Sequence, residues 1–329
     1  MNTHEKFVLN CPVFDGEKVL ENASVVVENG VITAVNEAEN VDSHDFLLPG
    51  LIDAHTHMGT EGQIAEMLKN GVVATCDVAA SPSLVEQSKR FKIISSAGMT
   101  FGTLSGKSYV KKAIKNGAAY IKVLLFEPNL MPKGSLKEIC TTAHENGKKV
   151  AVHATSVKAV RTAVDCGADI LLHVPIKEEY PLELAERIAA NGIAVAPTLV
   201  MMQTFANSGR NGYKPEDFQN AKNAVRSLRK CGVTILAATD ANDGSFAPPI
   251  AYGSALHTET SLLAQCGMTE TEVLASATGE IAKVFGIKDL GSIAVGQKAT
   301  FVLVEGRPDK NIADTRNVKH VWIDGQPIL

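Results

Sequence analysis

Five side chains of metal-binding types stand at the ends of apolar runs in this sequence. His55 and His57 close the run LLPGLIDAHTH, and His153, His173 and Asp240 stand in AVHATS, LLHVP and ATDAND. Side chains at positions i and i+2 of a strand point to the same side, so the rings of His55 and His57 can reach one metal ion. The five residues therefore predict a metal site, provided that the fold brings the ends of these runs together.

The residue types indicate which metal and which chemistry to expect. If His153 and His173 end neighbouring parallel strands, they lie about 5 Å apart and can share a second ion. The Asp240 carboxylate can bind metal and also accept a proton from a bound water. Four histidines with one aspartate suit zinc, or another borderline divalent ion, better than Mg²⁺ or Ca²⁺. Each residue alone has an ordinary structural explanation, such as a hydrogen-bonded core histidine or an aspartate helix cap, so the prediction depends on all five sharing one edge.

Lys122 is an unusual member of an apolar run, AAYIKVLLF. An ammonium group is costly to bury in such a place. One interpretation is a long side chain that reaches the solvent or pairs with Asp240. The other is a lysine carbamylated by CO₂, which becomes an anionic ligand bridging two metal ions. The chemistry of the residue alone does not choose between them.

A repeated unit of helix, glycine and apolar strand predicts the fold that positions these residues. Glycine precedes seven short apolar runs, at positions 71, 98, 117, 147, 167, 192 and 232. A left-handed glycine ends helices, and near-continuous apolar runs are typical of parallel strands covered on both faces. With LLPGLIDAHTH the strands number about eight, which predicts an α/β fold of the (β/α)8 barrel type. A doubly wound open sheet, the alternative, normally carries a glycine-rich phosphate loop that this sequence lacks.

The two ends of the chain have a different pattern, with short β-rich runs broken by DG and NG turns. We expect residues 1–48 and 290–329 to form one small β-sandwich, and residues 49–289 to form the barrel. The stretch SPSLVEQSKRFKIISSAG opens with serine and closes on glycine, which predicts a helix there.

Composition limits the classes of partner. The chain has 329 residues, 45% hydrophobic and 21% charged, with a formal net charge of −4. Because no basic cluster is present, we expect neither a nucleic-acid nor a membrane partner, but a small-molecule substrate, with a homo-oligomer left open. Six scattered cysteines predict reduced thiols, and the absence of a signal peptide predicts a cytoplasmic protein.

The motifs together resemble the amidohydrolase superfamily, in the branch of imidazolonepropionase-like enzymes and Xaa-Pro dipeptidases. The resemblance rests on LLPGLIDAHTH, YIKV, AVHATS, LLHVP and ATDAND, and continues through YGSALHTETSLLAQCGMTETEVLASATGEIAKVFG into GSIAVGQKATFVLVEG. It implies a binuclear centre of two divalent ions, with zinc expected, and a carbamate on the lysine. The implied metal ligands are His55, His57, Lys122, His153, His173 and Asp240.

The resemblance also implies a mechanism. A hydroxide bridging the ions would attack the scissile carbonyl, and Asp240 would carry its proton to the leaving nitrogen. We therefore expect a metal-dependent hydrolase of C–N amide bonds, acting on a small carboxylate-bearing amide such as a dipeptide, N-acyl amino acid or cyclic amide. Lactone or ester hydrolysis and ring deamination are alternatives on the same site, and a non-catalytic metal-binding or ligand-binding barrel is another. Deaminases of this superfamily place an acidic residue near the histidine of the fifth strand, and ATSVKAV after His153 has none.

Several further residues are candidate substrate contacts. Arg210 or Tyr213, after the seventh strand, could pair with a substrate carboxylate, although exposure to solvent is the simpler interpretation. Lys107, Tyr109 and Glu127 are weaker candidates of the same kind. His257 is weighed mainly as a structural residue. The third strand, MTFGTLSGKSYV, lacks the histidine that many relatives carry there.

Overall fold

Strands and helices alternate between two β-rich chain ends in the computed structural model, which describes residues 6–39, 41–88, 90–101, 105–245 and 247–328. The strands are β1 Lys6–Phe14, β2 Val19–Glu28, β3 Val31–Glu37, β4 Asp45–Pro49, β5 Leu51–Thr56, β6 Val72–Asp77, β7 Lys92–Ser95, β8 Met99–Thr100, β9 Ile121–Leu125, β10 Val150–Ala154, β11 Ile170–Leu172, β12 Ala194–Ala196, β13 Phe301–Glu305, β14 Val318–Ile323 and β15 Gln326–Pro327. The helices are α1 Glu61–Lys69, α2 Pro82–Gln87, α3 Gly106–Lys115, α4 Lys133–Glu145, α5 Val157–Cys166, α6 Leu182–Ala190, α7 Leu199–Ser208, α8 Phe218–Lys230, α9 Ser254–Gln265, α10 Glu270–Ser276 and α11 Gly279–Phe285. Within these ranges no helix has the length and apolarity needed to cross a membrane.

The central strands form the predicted (β/α)8 barrel. β5, β6 and β7 pair in parallel, as do β8 to β12, so that two arcs of parallel sheet face the helices. Residues 235–241 take the eighth position through parallel bridges from Ile235 to Val195 and from Ala241 to Thr56. The backbone of this segment also bonds to β5, since Ala54 N donates to the carbonyl of Ala237 over 3.0 Å. The barrel therefore places the carboxyl ends of its strands at one rim.

The apolar runs form strands for the reason inferred from the sequence. All positions of β6 and β9 are buried, as expected of strands covered on both faces. The helix stops are confirmed as well. At Gly167, which caps α5, φ is +86°, a left-handed conformation that a side chain would strain.

The third strand differs from the prediction. The stretch 81–98, expected to be one helix, is helical only over Pro82–Gln87, and Lys92–Ser95 is a strand paired with β6. The strand is interrupted by Ala97 and Gly98, both at positive φ, before β8 resumes against β9. Pairing of β7 with β6 and of β8 with β9 therefore determines the structure of this stretch, against its local helix signal. Part of the predicted third-strand motif, residues 102–104, lies outside the described residues.

Both chain ends contribute to one seven-stranded sheet in the order β15-β14-β13-β4-β1-β2-β3. The join between the two ends is β4, which pairs in parallel with β1 and antiparallel with β13. One face of this sheet encloses its own apolar cluster, which includes Val25, Phe301 and Trp322. The chain ends therefore build one β-unit beside the barrel, as a continuous sheet, while the exact domain limits 1–48, 49–289 and 290–329 stay a prediction.

His257 joins the barrel to the C-terminal segment. Its ring is 3% exposed, its Nε2 lies 3.1 Å from the carbonyl of Asn70, and its Nδ1 lies 3.0 Å from the Thr315 hydroxyl. A neutral ring with its proton on Nε2 donates to the carbonyl of Asn70, while its Nδ1 and the carbonyl of Ile312 both face the single proton of the Thr315 hydroxyl. Burial lowers the pKa of His257 to about 4, and the bond to Asn70 opposes this only in part. The residue is structural, as weighed from the sequence.

The buried His257 predicts part of the acid sensitivity of the fold. Since the pKa in the folded chain lies below the ordinary value of about 6.5, the neutral ring contributes full stability above pH 6.5 and loses it as the pH falls towards 4. We expect His257→Gln to lose about 2 kcal/mol less unfolding free energy than the wild type between pH 7 and pH 5. Urea unfolding at the two pH values measures this difference. Parallel losses in the two proteins would contradict it.

Candidate metal centre

The carboxyl ends of the barrel strands bring four histidine rings into one cluster. The ring centroids of His55 and His57 are 5.1 Å apart, those of His55 and His173 are 5.4 Å apart, and those of His153 and His173 are 4.4 Å apart. His153 lies in β10 and pairs with the last residue of β11, so that His173 follows directly beside it. The strand-end positions inferred from the sequence therefore meet at one rim.

Asp240 lies against these rings in a geometry that suits metal ligands. Its Oδ1 is 3.2 Å from Nε2 of His55 and 3.0 Å from Nε2 of His57, yet this oxygen accepts no hydrogen bond among the described residues. Its Oδ2 lies 4.0 Å from Nδ1 of His173. Ligand atoms at zinc–nitrogen bond lengths of about 2.0–2.1 Å in a tetrahedral shell are about 3.3 Å apart. The close approaches thus have the spacing of a coordination shell without hydrogen-bond alignment.

Lys122 is fully enclosed in the barrel. It lies in β9 between Met99 of β8 and Ala151 of β10, and is 1% exposed. Its Nζ has no hydrogen-bond partner among the described residues. Burial lowers the pKa of Lys122 to about 7, against the opposing charge of Asp240. The side chain neither reaches the solvent nor forms an ion pair with Asp240 within 4 Å, so the structure favours neither of the ordinary explanations for it.

Three histidines of the cluster are held in the neutral form that binds metal. Burial is the largest cause that lowers the pKa of His55, His153 and His173 well below the ordinary value, and the charge of Lys122 acts on all three in the same direction. Nε2 of His153 and Nδ1 of His55 are buried without a hydrogen-bond partner. Buried polar atoms of this kind are costly unless a ligand satisfies them. His55, His173 and Asp240 each offer a ligand atom within 4.8 Å of the others, so the residues fit a metal ion.

Asp53 fixes the backbone beside the His55 and His57 pair. It is fully buried, and it accepts bonds from the backbone N–H groups of His55 and Thr239 at 3.2 and 3.0 Å and from the Thr239 hydroxyl at 2.6 Å. Burial raises the pKa of Asp53 to about 7, and the bonds from Thr239 and His55 oppose the rise. The aspartate therefore links β5 to the backbone beside Asp240. Its position two residues before His55 was the only sequence signal for it.

A second supporting chain leads to His173. Nδ1 of His173 lies 2.8 Å from Oγ1 of Thr198, which leaves Nε2 as the other ring nitrogen. Glu259 of α9 accepts bonds from the N–H groups of Leu199 and Val200, at 2.9 and 2.7 Å, at the start of α7. Burial raises the pKa of Glu259 to about 8. Sequence reasoning missed Thr198 and Glu259, because neither belongs to a metal-ligand pattern.

The other candidate substrate contacts named from the sequence are either exposed or bonded within the protein. Arg210 is exposed in a 3-10 turn, and Tyr213 packs against Phe205 and beneath Lys177. Lys107 is exposed, whereas the Tyr109 hydroxyl donates to the backbone carbonyl of Lys122 over 2.8 Å. Glu127 accepts a bond from the hydroxyl of Ser156. The contacts of Tyr109, Glu127 and Tyr213 within the protein explain their positions without a role in substrate binding.

Solved structures share this architecture along nearly the whole chain. A Xaa-Pro dipeptidase with methionine bound in its active site superposes with a TM-score of 0.82 and 20% identity, over 98% of this chain and 99% of that one. A putative prolidase from Bifidobacterium longum gives a TM-score of 0.83 and 22% identity, over 98% and 94% of the two chains. At these identities the likeness concerns the fold.

Sequence comparison identifies the family. A curated relative, the 5-methylthioadenosine/S-adenosylhomocysteine deaminase of Bacillus cereus (strain AH820), is 23% identical over 372 aligned positions, which cover 88% of this chain and 82% of the relative. The sequence model of the amidohydrolase family matches residues 46–328, which include every residue of the metal cluster. This protein therefore belongs to the amidohydrolase family of metal-dependent hydrolases that act on C–N bonds.

Proposed function

We propose that this enzyme hydrolyses a C–N amide bond of a small carboxylate-bearing substrate at a binuclear centre, with zinc as the expected metal. The observation that carries the proposal is the buried Nζ of Lys122, which has no partner among the described residues and lies on β9, the strand that pairs with the strand of His153. An amine enclosed in this way is suited to carbamylation, which would convert it into an anion able to serve two ions. Carbamylation would also remove the cost of an unpaired ammonium.

The ligand atoms divide into two groups around this lysine. His55, His57 and Asp240 would hold one ion, because Oδ1 of the aspartate stands within 3.2 Å of both imidazole Nε2 atoms. His153 and His173, whose rings are 4.4 Å apart, would hold the other. Bound metal would supply a water of lowered pKa and polarise the scissile carbonyl.

Asp240 is the proposed proton carrier. Its Oδ1 accepts no hydrogen bond from the described protein and would bind metal, which leaves Oδ2 as the oxygen that would carry the proton. It would take the proton of the attacking water and return it to the leaving nitrogen, which needs a proton to depart as an amine. Its backbone is fixed for this task, since Asp240 N donates to the carbonyl of His55 over 2.9 Å.

Thr198 is proposed as a positioning residue. Its hydroxyl lies 2.8 Å from Nδ1 of His173, which leaves Nε2 of that ring as the nitrogen that would bind metal. Thr198 itself lies at φ +49°, and the two bonds that Glu259 accepts at the start of α7 hold the following residues in place.

Ring deamination is the second candidate function, favoured by the name of the curated relative. The two reactions are separated by one substrate panel assayed with the zinc-loaded protein. Dipeptides, N-acyl amino acids and cyclic amides should release amine or open the ring, whereas adenosine derivatives should not release ammonia. Turnover of adenosine derivatives alone would replace amide hydrolysis by deamination.

Asp240→Asn should lower kcat by about 10²–10⁴-fold, with the fold intact by circular dichroism, because it removes the proposed proton carrier. Asp289→Asn, at a half-exposed carboxylate paired with Lys92, should leave kcat unchanged. Unchanged kcat in Asp240→Asn would contradict the role of Asp240.

Lys122→Ala should lose metal as well as activity. Without the bridging anion, we expect metal content, measured by elemental mass spectrometry after purification without chelators in bicarbonate buffer, to fall from about two ions per chain. Added acetate or propionate should restore part of it by supplying a carboxylate in the cavity. Lys133→Ala is the matched control, because Lys133 is exposed in an ion pair with Asp165. Unchanged metal content in Lys122→Ala would exclude the bridging role.

Thr198→Val should weaken metal binding by about 10–100-fold, because it replaces the hydroxyl beside His173 with a methyl group of similar shape. Thr198→Ser keeps the hydroxyl and should keep most of the affinity. Competition with a chromophoric zinc chelator measures both variants, and urea unfolding of the metal-free proteins checks that the fold is equally stable. Equal affinity of the valine and serine variants would show that the hydroxyl only fills space.

A further inference from the structure

Two exposed phenylalanines stand at the rim of the metal centre. Phe101 directly follows β8 and Phe126 directly follows β9, and these strands are neighbours in the barrel. Phe101 is 60% exposed and Phe126 is 43% exposed. Among the described residues, five large apolar side chains are exposed, and the other three are Val8 in β1, Leu182 at the start of α6 and Val295 in the C-terminal segment. Of these five, the two aromatic side chains both lie at the candidate site.

The two rings form a continuous surface that ends on a proposed metal ligand. Phe101 and Phe126 stack with centroids 5.9 Å apart and an interplanar angle of 24°. Phe126 in turn lies 4.3 Å from the ring of His153, whose Nε2 is buried without a partner. A ring placed on this surface would touch the metal centre at one end and solvent at the other. Such continuity is expected of a substrate subsite.

We propose that Phe101 and Phe126 form a subsite for an aromatic group attached close to the scissile amide of the substrate. This inference rests on the proposed function and narrows its substrate class to amides that carry an aromatic side chain or ring. The stacked pair offers two ring faces or edges at the spacing that aromatic groups prefer, 4.5–7 Å between centroids. Contiguous exposed apolar surface often marks a ligand-binding site, and this surface lies directly beside His153.

An equilibrium binding experiment tests the subsite without requiring turnover. The probes are 3-phenylpropionate and propionate, which share a carboxylate and differ by one phenyl ring, titrated into the zinc-loaded protein by calorimetry. We expect the phenyl ring to improve the dissociation constant on the order of 10-fold in the wild type. Phe126→Ala and Phe101→Ala should each reduce this ratio to about 3-fold or less. Val295→Ala, which removes an exposed apolar side chain beside the β-unit, should keep it.

The outcomes separate the subsite from the proposed function. A ratio near one in the wild type, or an undiminished ratio in both phenylalanine variants, would overturn the aromatic subsite even if amides are hydrolysed. A phenyl preference that depends on Phe101 and Phe126 would support the aromatic subsite even if the amide panel shows no turnover. In that case only the proposed amide hydrolysis would be wrong. A dimer by sedimentation that dissociates in the Phe101→Ala/Phe126→Ala double variant would assign the surface to a second copy of the chain and overturn the subsite.

Discussion

The buried polar atoms of the barrel rim are the constraint on which the rest of this structure depends. An amine, several imidazole nitrogens and a carboxylate oxygen are removed from water in one place, and their described surroundings do not satisfy Lys122 Nζ, His153 Nε2 or Asp240 Oδ1. Each such group costs folding free energy of about 1–3 kcal/mol or more. The same burial keeps the imidazoles neutral, because it is the largest cause that lowers their pKa values. Bound metal would offset this cost, since a ligand that binds only the folded chain stabilises it.

Backbone strain is concentrated at the same rim. His173, Thr198 and Asp240, at the ends of three successive barrel positions, have φ angles of +71°, +49° and +60°. Residues other than glycine adopt positive φ angles only at a cost in free energy, and such strained residues are concentrated at functional sites. Here the positive φ angles redirect the chain immediately after each strand. Buried carboxylates fix the backbone next to two of these turns. Asp53 accepts hydrogen bonds from Thr239, which precedes Asp240, and Glu259 accepts them from the first residues of α7, which follow Thr198.

The barrel and the clustering of the candidate ligands could be predicted from the sequence because both follow from local patterns. A histidine pair at i and i+2 and single polar residues closing apolar runs mark the strand ends, and Lys122 is a single charge inside one of those runs. The supporting residues could not be found in this way. Glu259 lies 60 positions from the amide that it holds, and in the sequence it is an ordinary acidic residue of a helix. The strand Lys92–Ser95 was mistaken for helix because its pairing with β6, rather than its composition, determines its structure.

The number of available carboxylates bears on the choice between amide hydrolysis and deamination. In the described barrel, Asp53, Asp77 and Glu259 are buried, and each accepts at least two hydrogen bonds from structural groups. Asp240 alone among the buried barrel carboxylates has an oxygen without such a bond. One carboxylate is enough for amide hydrolysis, because the proton taken from water is the proton that the leaving nitrogen needs. Protonation of a ring nitrogen calls for a second acid beside the reacting carbon. Among the buried carboxylates, this comparison supports the proposed amide hydrolysis over deamination.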